Sequence, residues 1–403
     1  MSPSEFVVPY LPVGTTYGET EWEALRECLL SHRTLSCGDE RDAFESEFAA
    51  AVGARHAISL ANCTVALELA TYLCDLREGD EVIVTCQSYQ ATATPLLTTP
   101  ATVRFCDIDP LTLNISLEAL RALLTNRTQA IFLVHYGGAL AEVAPIRALA
   151  RERGVVVVED CAHSLGATGN PPGPWPEVLG CWSFQSYKNI STLGEGGMIT
   201  TDDDEWAARL RRLRSIEPDA DYTRRTEHLL DPLPSDGVFR HEKEAYTHDC
   251  VTLRHPGTNS TLPEPAAAVG RVQLRRLDEL VDRRRRIADV LDSCLGAIPG
   301  ITVQPRPTGR SAHHLYTFFT EPRAAVGAPE LLGQLLRAGI EVQQRYFPIH
   351  LLPEWRRRGT GPGLCPVGER TWFERQVNLP IYPQMTDAQL GHMVDALRRL
   401  LAR

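Results

Sequence analysis

The sequence predicts an α/β protein: a large, mostly parallel sheet sandwiched by helices, followed by a smaller α+β C-terminal domain. Three observations carry that prediction. Short apolar runs alternate with amphipathic helical segments through the first half of the chain. Val155-Val156-Val157-Val158 is a continuous apolar run of the kind a strand buried on both faces requires. Helix and strand signals then resume beyond residue 256, after a long stretch that has neither.

Taken in order, Gly18–Leu30 and Asp39–Val52 read as amphipathic helices; the second places Phe44, Phe48 and Val52 at i+4 spacing, with Asp39 as its cap. Leu60–Ala70 is a loop entering a helix. Glu81–Thr85, Ala101–Cys106 and Ala130–His135 are strands, and Leu117–Leu124 and Val143–Arg153 are helices between strands. Another helix spans Glu205–Arg214. From Ser215 to Pro256 apolar periodicity lapses, so 215–256 reads either as an excursion over a site or as a passive surface insertion. Helix returns over Ala266–Leu280 and continues through Arg283-Arg284-Arg285-Arg286 to Leu291. Those arginines spread around the axis, beside Asp278, Glu279, Asp282 and Asp289, and read as a solvated face. Ile301–Val303, His314–Thr320, Leu331–Leu336, Glu341–Val342 and a last helix from Asp387 fit the smaller domain. The expected division is 1–255 for the N-terminal segment and large domain, and 256–403 for the small one.

Composition narrows the function classes. The 403 residues are 43% hydrophobic and 23% charged, ordinary for a globular chain. A net charge of −10 argues against nucleic acid or an anionic membrane as partner. No apolar stretch approaches the roughly 20 residues of a membrane helix, and Met1–Pro12 lacks a basic leader region, so a cytoplasmic protein is expected. The 11 cysteines are scattered without a C-x-x-C pair, which predicts reduced core thiols and neither a disulfide framework nor a metal site.

The chemistry concentrates around Lys188. It follows the aromatic, small-residue run Trp182-Ser183-Phe184-Gln185-Ser186-Tyr187 and precedes Gly194-Glu195-Gly196-Gly197, a turn that permits close backbone approach. The valine strand ends at Glu159-Asp160, and ligands of open α/β sheets bind at such strand ends. A lysine and an acid brought together there suit pyridoxal phosphate: the amine forms a Schiff base with the cofactor aldehyde, and the acid keeps the pyridine nitrogen protonated. Asn62-Cys63-Thr64-Val65 at a helix start binds a phosphate through free N–H groups and the Thr64 hydroxyl, or else Thr64 is a plain cap. Ser183 reads as a phosphate donor or a strand-end hydroxyl, and His163 as a cofactor contact or a structural histidine. Tyr89 is placed to stack on the cofactor ring, or to lie in the core or an interface. Cys63 and Cys161 flank the proposed site.

Together these segments resemble the DegT/StrS-type sugar aminotransferases, a branch of the fold-type I pyridoxal-phosphate enzymes. The likeness runs from Tyr10 to Met393. It rests on Glu78–Val84, Asp107–Ile115, Val158-Glu159-Asp160-Cys161-Ala162-His163, Lys188-Asn189 with Gly194–Gly197, and Leu379-Pro380-Ile381-Tyr382-Pro383. It implies a seven-stranded-type sheet, with Lys188 as the Schiff-base lysine and Asp160 on the pyridine nitrogen. It further implies Tyr89 stacked on the ring, and Thr64, Val65 and Ser183 at the phosphate. Asn259, in Gly257-Thr258-Asn259-Ser260-Thr261, matches a segment that in the family completes the phosphate site of the neighbouring subunit, so a homodimer with shared active sites is implied. Tyr346 and His350 fall in a block expected to meet substrate. This chain departs from the pattern at Cys63 (usually Gly), Thr261 (usually Arg), Pro265 (usually Gln) and Arg345 (usually His).

The function so implied is transfer of an amino group from glutamate or glutamine to a keto sugar, nucleotide-linked, or to a keto cyclitol, in specialised-metabolite (antibiotic-type) biosynthesis. Elimination or cyclisation on an amino-acid skeleton would use the same lysine, and amino-donor dependence separates the two. A non-catalytic member of the fold is the third reading, distinguished by a protein that takes up no cofactor. The letters name neither the acceptor nor the carbon aminated.

Overall fold

A seven-stranded sheet organises the molecule in the computed structural model, which describes residues 6–10, 13–31, 33–169, 173–215, 219–224, 248–255, 257–307 and 309–401. Its strands are β1 (His56–Leu60), β2 (Glu81–Thr85), β3 (Thr102–Cys106), β4 (Thr128–Val134), β5 (Val156–Asp160), β6 (Val178–Ser183) and β7 (Gly197–Thr201). They lie in the order β1-β7-β6-β5-β4-β2-β3. β3, β2, β4, β5 and β6 run parallel, whereas β7 is antiparallel to both of its neighbours. Residues of β2 and β4–β7 are buried on both faces, as a sheet covered by helices on each side demands.

In one core, Leu67 and Leu69 of helix Cys63–Leu73 and Leu210 of helix Asp204–Arg214 join Ile199 of β7. Elsewhere Phe44 and Phe48 of helix Asp39–Val52 meet Trp182 and Phe184 edge-on or tilted, at ring separations of 5.3–5.4 Å. Leu262, Ala266, Ala267 and Leu280 join that aromatic group. A second core, from Ile287 to Leu401 with Val8, surrounds a three-stranded antiparallel sheet of Ile301–Val303, Tyr316–Thr320 and Gln376–Leu379.

Three local expectations are corrected. Asp39 is the first residue of its helix rather than the cap; Gly38 takes that position, and the Glu264 carboxylate accepts the Glu40 and Arg41 N–H groups at 2.9 and 3.1 Å. The helix expected over 266–291 is two, Glu264–Arg275 and Leu277–Leu295, broken at Arg276, whose φ of −91° and ψ of 1° leave the helical region. The four-arginine run is not a solvated face throughout: Arg284 is wholly buried and donates to the carbonyls of Gly14, Ile381 and His313 at 2.6, 2.8 and 3.2 Å. Within the 215–256 stretch, Asp219–Arg224 pairs antiparallel with His248–His255; residues 225–247 lie outside the described residues.

Candidate active site

The strand directions bring the chemistry to one edge. Val134, Asp160 and Ser183 close β4, β5 and β6 at the edge where β7 begins with Gly197 and β1 ends with Leu60. Asp160 is buried there. Its Oδ1 accepts the Ala162 N–H at 3.0 Å and its Oδ2 accepts the Thr92 hydroxyl at 2.6 Å. Thr92 has a single hydroxyl proton, so Ser88 Oγ, 2.7 Å from Thr92 Oγ1, donates the next bond outward.

Lys188 lies in the β6–β7 connection. Ser186 N–H donates to Gly194 O at 2.9 Å and Phe184 N–H to Gly196 O at 2.8 Å, which makes the connection a closed loop. Gly194 has φ 121°, a conformation that L side chains rarely adopt. Gly14 packs against the loop so closely that a Cβ there would stand 2.1 Å from the Tyr187 carbonyl oxygen. Lys188 is half-buried, and among the described residues its amine has no hydrogen-bond or ion-pair partner. Burial pushes its pKa below the ordinary lysine value, against the opposing pull of Asp160. The buried Cys63 thiol sits in the fields of both: burial, then Asp160, raise it well above the ordinary thiol range, so it stays an S–H.

Beside them, helix Cys63–Leu73 starts at Asn62, whose Oδ1 accepts the Val65 N–H at 3.0 Å. The N–H expected from Val65 for a phosphate is therefore taken, because asparagine caps its own helix. The Cys63 and Thr64 N–H groups have no acceptor among the described residues, and Thr64 is exposed. Gly197 packs on this turn; a Cβ would meet the Asn62 carbonyl carbon at 2.3 Å, so β7 and the helix start touch through backbone. Ser183 Oγ, 3.5 Å from the Gln185 N–H, closes that side. Asn259 is exposed and bridges Ser215, while Ser260 O accepts the N–H of Ala61 at 2.7 Å, so this segment runs alongside the same turn.

Aromatic rings wall the opposite side. Tyr89, 53% exposed, meets Tyr346 edge-on at 5.8 Å. His163 stacks on Tyr346 at 5.8 Å and on His314 at 4.3 Å. His163 Nδ1 accepts the Gly137 N–H at 3.3 Å, so the ring proton is on Nε2, 3.3 Å from Tyr346 Oη. Burial, with the Lys188 and Arg345 cations, drives the His163 pKa well below its ordinary value and keeps the ring neutral. Arg345 lies over Tyr10 and Tyr346 at 5.1 and 5.7 Å, and among the described residues no carboxylate pairs with it.

The edge thus gathers Asp160, Lys188, Ser183, Thr64, Tyr89, His163 and Tyr346. His350 is drawn elsewhere: it has no accessible surface and its Nε2 is 2.8 Å from Glu369 Oε1. Sequence reasoning missed Thr92 and His314. Thr92 had a signal, four residues after Ser88 in a turn; His314 had none, since only the fold stacks it on His163. The donor set fits pyridoxal phosphate: an unpartnered amine of lowered basicity, a buried carboxylate fixed by two donors, and open N–H groups at a helix start.

Comparison with known proteins agrees. The model of the DegT/DnrJ/EryC1/StrS aminotransferase family matches residues 15–398. The chain is 33% identical over 393 residues to the spore coat polysaccharide biosynthesis protein SpsC of Bacillus subtilis, covering 95% of each. It is 31% identical to the dTDP-4-dehydro-2,3,6-trideoxy-D-glucose 4-aminotransferase of Saccharopolyspora spinosa, covering 95% of this chain and 94% of that one. Among solved structures, DesV of S. venezuelae, determined with a ketimine intermediate, superposes with a TM-score of 0.81 at 30% identity over 98% of this chain and 100% of that one. A fold-type I architecture, a lysine–carboxylate edge and a family match over nearly the whole length lead to one conclusion: this chain is a pyridoxal-phosphate-dependent enzyme that belongs to the DegT/DnrJ/EryC1/StrS aminotransferase family.

Proposed function

We propose that the enzyme moves an amino group from glutamate or glutamine to a nucleotide-linked keto sugar, with Lys188 as the proton-transfer base and Asp160 as the acid partner of the cofactor ring. The observation that carries this reading is the unpartnered Lys188 amine at the strand edge that holds the fixed Asp160 carboxylate. Bound pyridoxal phosphate supplies an aldehyde that accepts nitrogen and a ring that withdraws electrons. The residues do the rest. Lowered basicity lets Lys188 Nζ take a proton from the donor's α-carbon and return one to the acceptor's carbon. Thr92 and the Ala162 N–H hold the Asp160 carboxylate in place. Thr64, Ser183 and the N–H groups of Cys63 and Thr64 would hold the phosphate, and Tyr89 would cover the ring.

Arg345, whose guanidinium donates to Gln343 Oε1 at 3.0 and 2.7 Å and has no carboxylate partner among the described residues, offers the substrates a positive charge beside Tyr346, which suits a carboxylate of the donor or a phosphate of the acceptor. The acceptor class is supported by the dTDP-linked keto sugar for which the Saccharopolyspora relative is named. A shared-site homodimer is part of the proposal: Thr64, Tyr89 and Asn259 all stand exposed on one chain, as residues completed by a second subunit do. The test is to convert the enzyme to its pyridoxamine form with glutamate, then offer a panel of nucleotide-linked keto sugars and keto cyclitols. Return of the aldehyde absorbance with a nucleotide-linked sugar supports the reading. Return with a cyclitol alone, or with none while an amino acid is consumed without any acceptor, refutes it.

A further inference from the structure

Beyond the lysine loop, Cys86, His350 and Cys365 form a second cluster. Two thiol sulfurs and an imidazole nitrogen lie within 4.8 Å of one another, and all three residues have no accessible surface. They arrive from separate elements: Cys86 follows β2, His350 is in the turn Ile349–Leu351, and Cys365 caps helix Pro366–Arg370. Ile349 N–H donates to Cys86 O at 2.9 Å and so locks two of these elements together. A Cβ on Gly368 would stand 2.8 Å from Cys86 Sγ, so only glycine lets the short helix close over the sulfur.

His350 supplies the independent sign of a ligand. Its Nε2 faces the Glu369 carboxylate at 2.8 Å, which puts the ring proton there and the lone pair on Nδ1. Nδ1 is buried and has no hydrogen-bond partner. A buried acceptor left unsatisfied costs about 1–3 kcal/mol, so it calls for an electron-pair acceptor. The other buried His/Glu/Cys group is a useful contrast. In His135, Glu159 and Cys161, Arg147 donates twice to Glu159 at 2.8 Å, His135 Nε2 lies 3.2 Å from the same carboxylate, and His135 Nδ1 accepts the Ala141 N–H at 3.2 Å. That group is satisfied and needs no ion.

We propose that Cys86 Sγ, Cys365 Sγ and His350 Nδ1 bind a zinc ion, with Glu369 orienting the histidine. Two sulfurs and one imidazole are the donors zinc takes, and a carboxylate behind the ligating histidine is its usual support. Each thiol releases its proton to solvent on binding, and the two thiolates cancel the charge of the dication, so a neutral centre is left in the core. Asp107 Oδ1, 3.8 Å from Cys86 Sγ, already accepts the Ile108 and Gly368 N–H groups at 2.9 and 2.8 Å, so the fourth position of the tetrahedron falls to a bound water and the centre stays neutral. The ion would fasten the loop that carries Tyr89 to the segment that carries Tyr346, the two rings that meet at 5.8 Å across the active site.

The holoenzyme purified without chelator should contain about one zinc per chain, and the chelated protein reloaded with Co2+ should show a thiolate-to-cobalt charge-transfer band. Cys86→Ser and Cys365→Ser should lose the band. Glu369→Gln should keep it and weaken zinc binding by about 10–100-fold, as loss of such a supporting group does. Should the serine variants fail to fold, the cobalt spectrum of the unaltered protein still decides. A reduced, folded protein that takes up neither zinc nor cobalt overturns the proposal, and so does a Cys86–Cys365 disulfide as the only state found by non-reducing peptide mapping.

Discussion

Replacing Thr92 with valine removes one hydroxyl and almost no volume, and it tests whether Asp160 works through the support the fold gives it. Thr92 Oγ1 donates to Asp160 Oδ2 at 2.6 Å, and both side chains are shielded from water, so solvent cannot substitute for the lost donor. A hydrogen bond to a charged group is worth about 1.5–3 kcal/mol. At about 1.4 kcal/mol per factor of ten, that is about 10- to 150-fold. The lost bond is one of the two that fix the carboxylate, so Asp160 would be held less well against the ring nitrogen and the ring would withdraw electrons less effectively. The amino-donor half-reaction, followed by stopped-flow decay of the cofactor's aldehyde absorbance on adding glutamate, should slow by that factor. Thr92→Ser, which keeps the hydroxyl, should stay within a few fold of the original. A folded Thr92→Val enzyme with an unaltered half-reaction rate would show that Asp160 does not act on the ring through this pair.

Further predictions follow from other parts of the site and its support. Lys188→Ala should abolish both half-reactions, read as single-turnover absorbance changes with donor and with acceptor. Arg345→Gln should raise KM for glutamate by about 10-fold or more with kcat little changed, as loss of a charge-assisted contact made equally in ground and transition states requires. Burial alone would raise the Glu159 carboxyl, but Arg147 and His135 overcome it and hold the pKa at about 2, below the ordinary 4.5. Because the folded value is the depressed one, this stabilisation is complete above about pH 4.5 and is lost as pH falls toward 2, about 3 kcal/mol in all. Urea midpoints measured across that window should fall accordingly, and Arg147→Met should flatten the dependence.

Much of the fold was legible because its signals are local. A four-valine strand, amphipathic helices and the spacing of the lysine and acid blocks do not depend on distant neighbours. What the letters hid was made by distant neighbours. Glu264 caps a helix more than two hundred residues upstream of it, so the capping reading of Asp39 had a sound local motif and the wrong partner. The Val65 N–H looked open until Asn62 turned its side chain back onto it. His350 sits in a block shared with Tyr346, yet one side chain faces the site and the other is buried against Glu369. Such outcomes depend on side-chain direction, which residue spacing does not encode.

Arg284 shows how far that principle reaches into function. A guanidinium without a carboxylate partner is costly to bury, and burial lowers its pKa to about 9. The fold tolerates it because three carbonyl oxygens converge on it, and their positions are telling. Gly14 presses on the backbone of Tyr187 and Lys188. His313 precedes the ring that stacks on His163. Ile381 belongs to the smaller sheet's core. One buried cation therefore ties the lysine loop, the histidine stack and the second core into a single frame. A run of four arginines, which by composition alone reads as surface, contributes the residue that holds both walls of the active site in register.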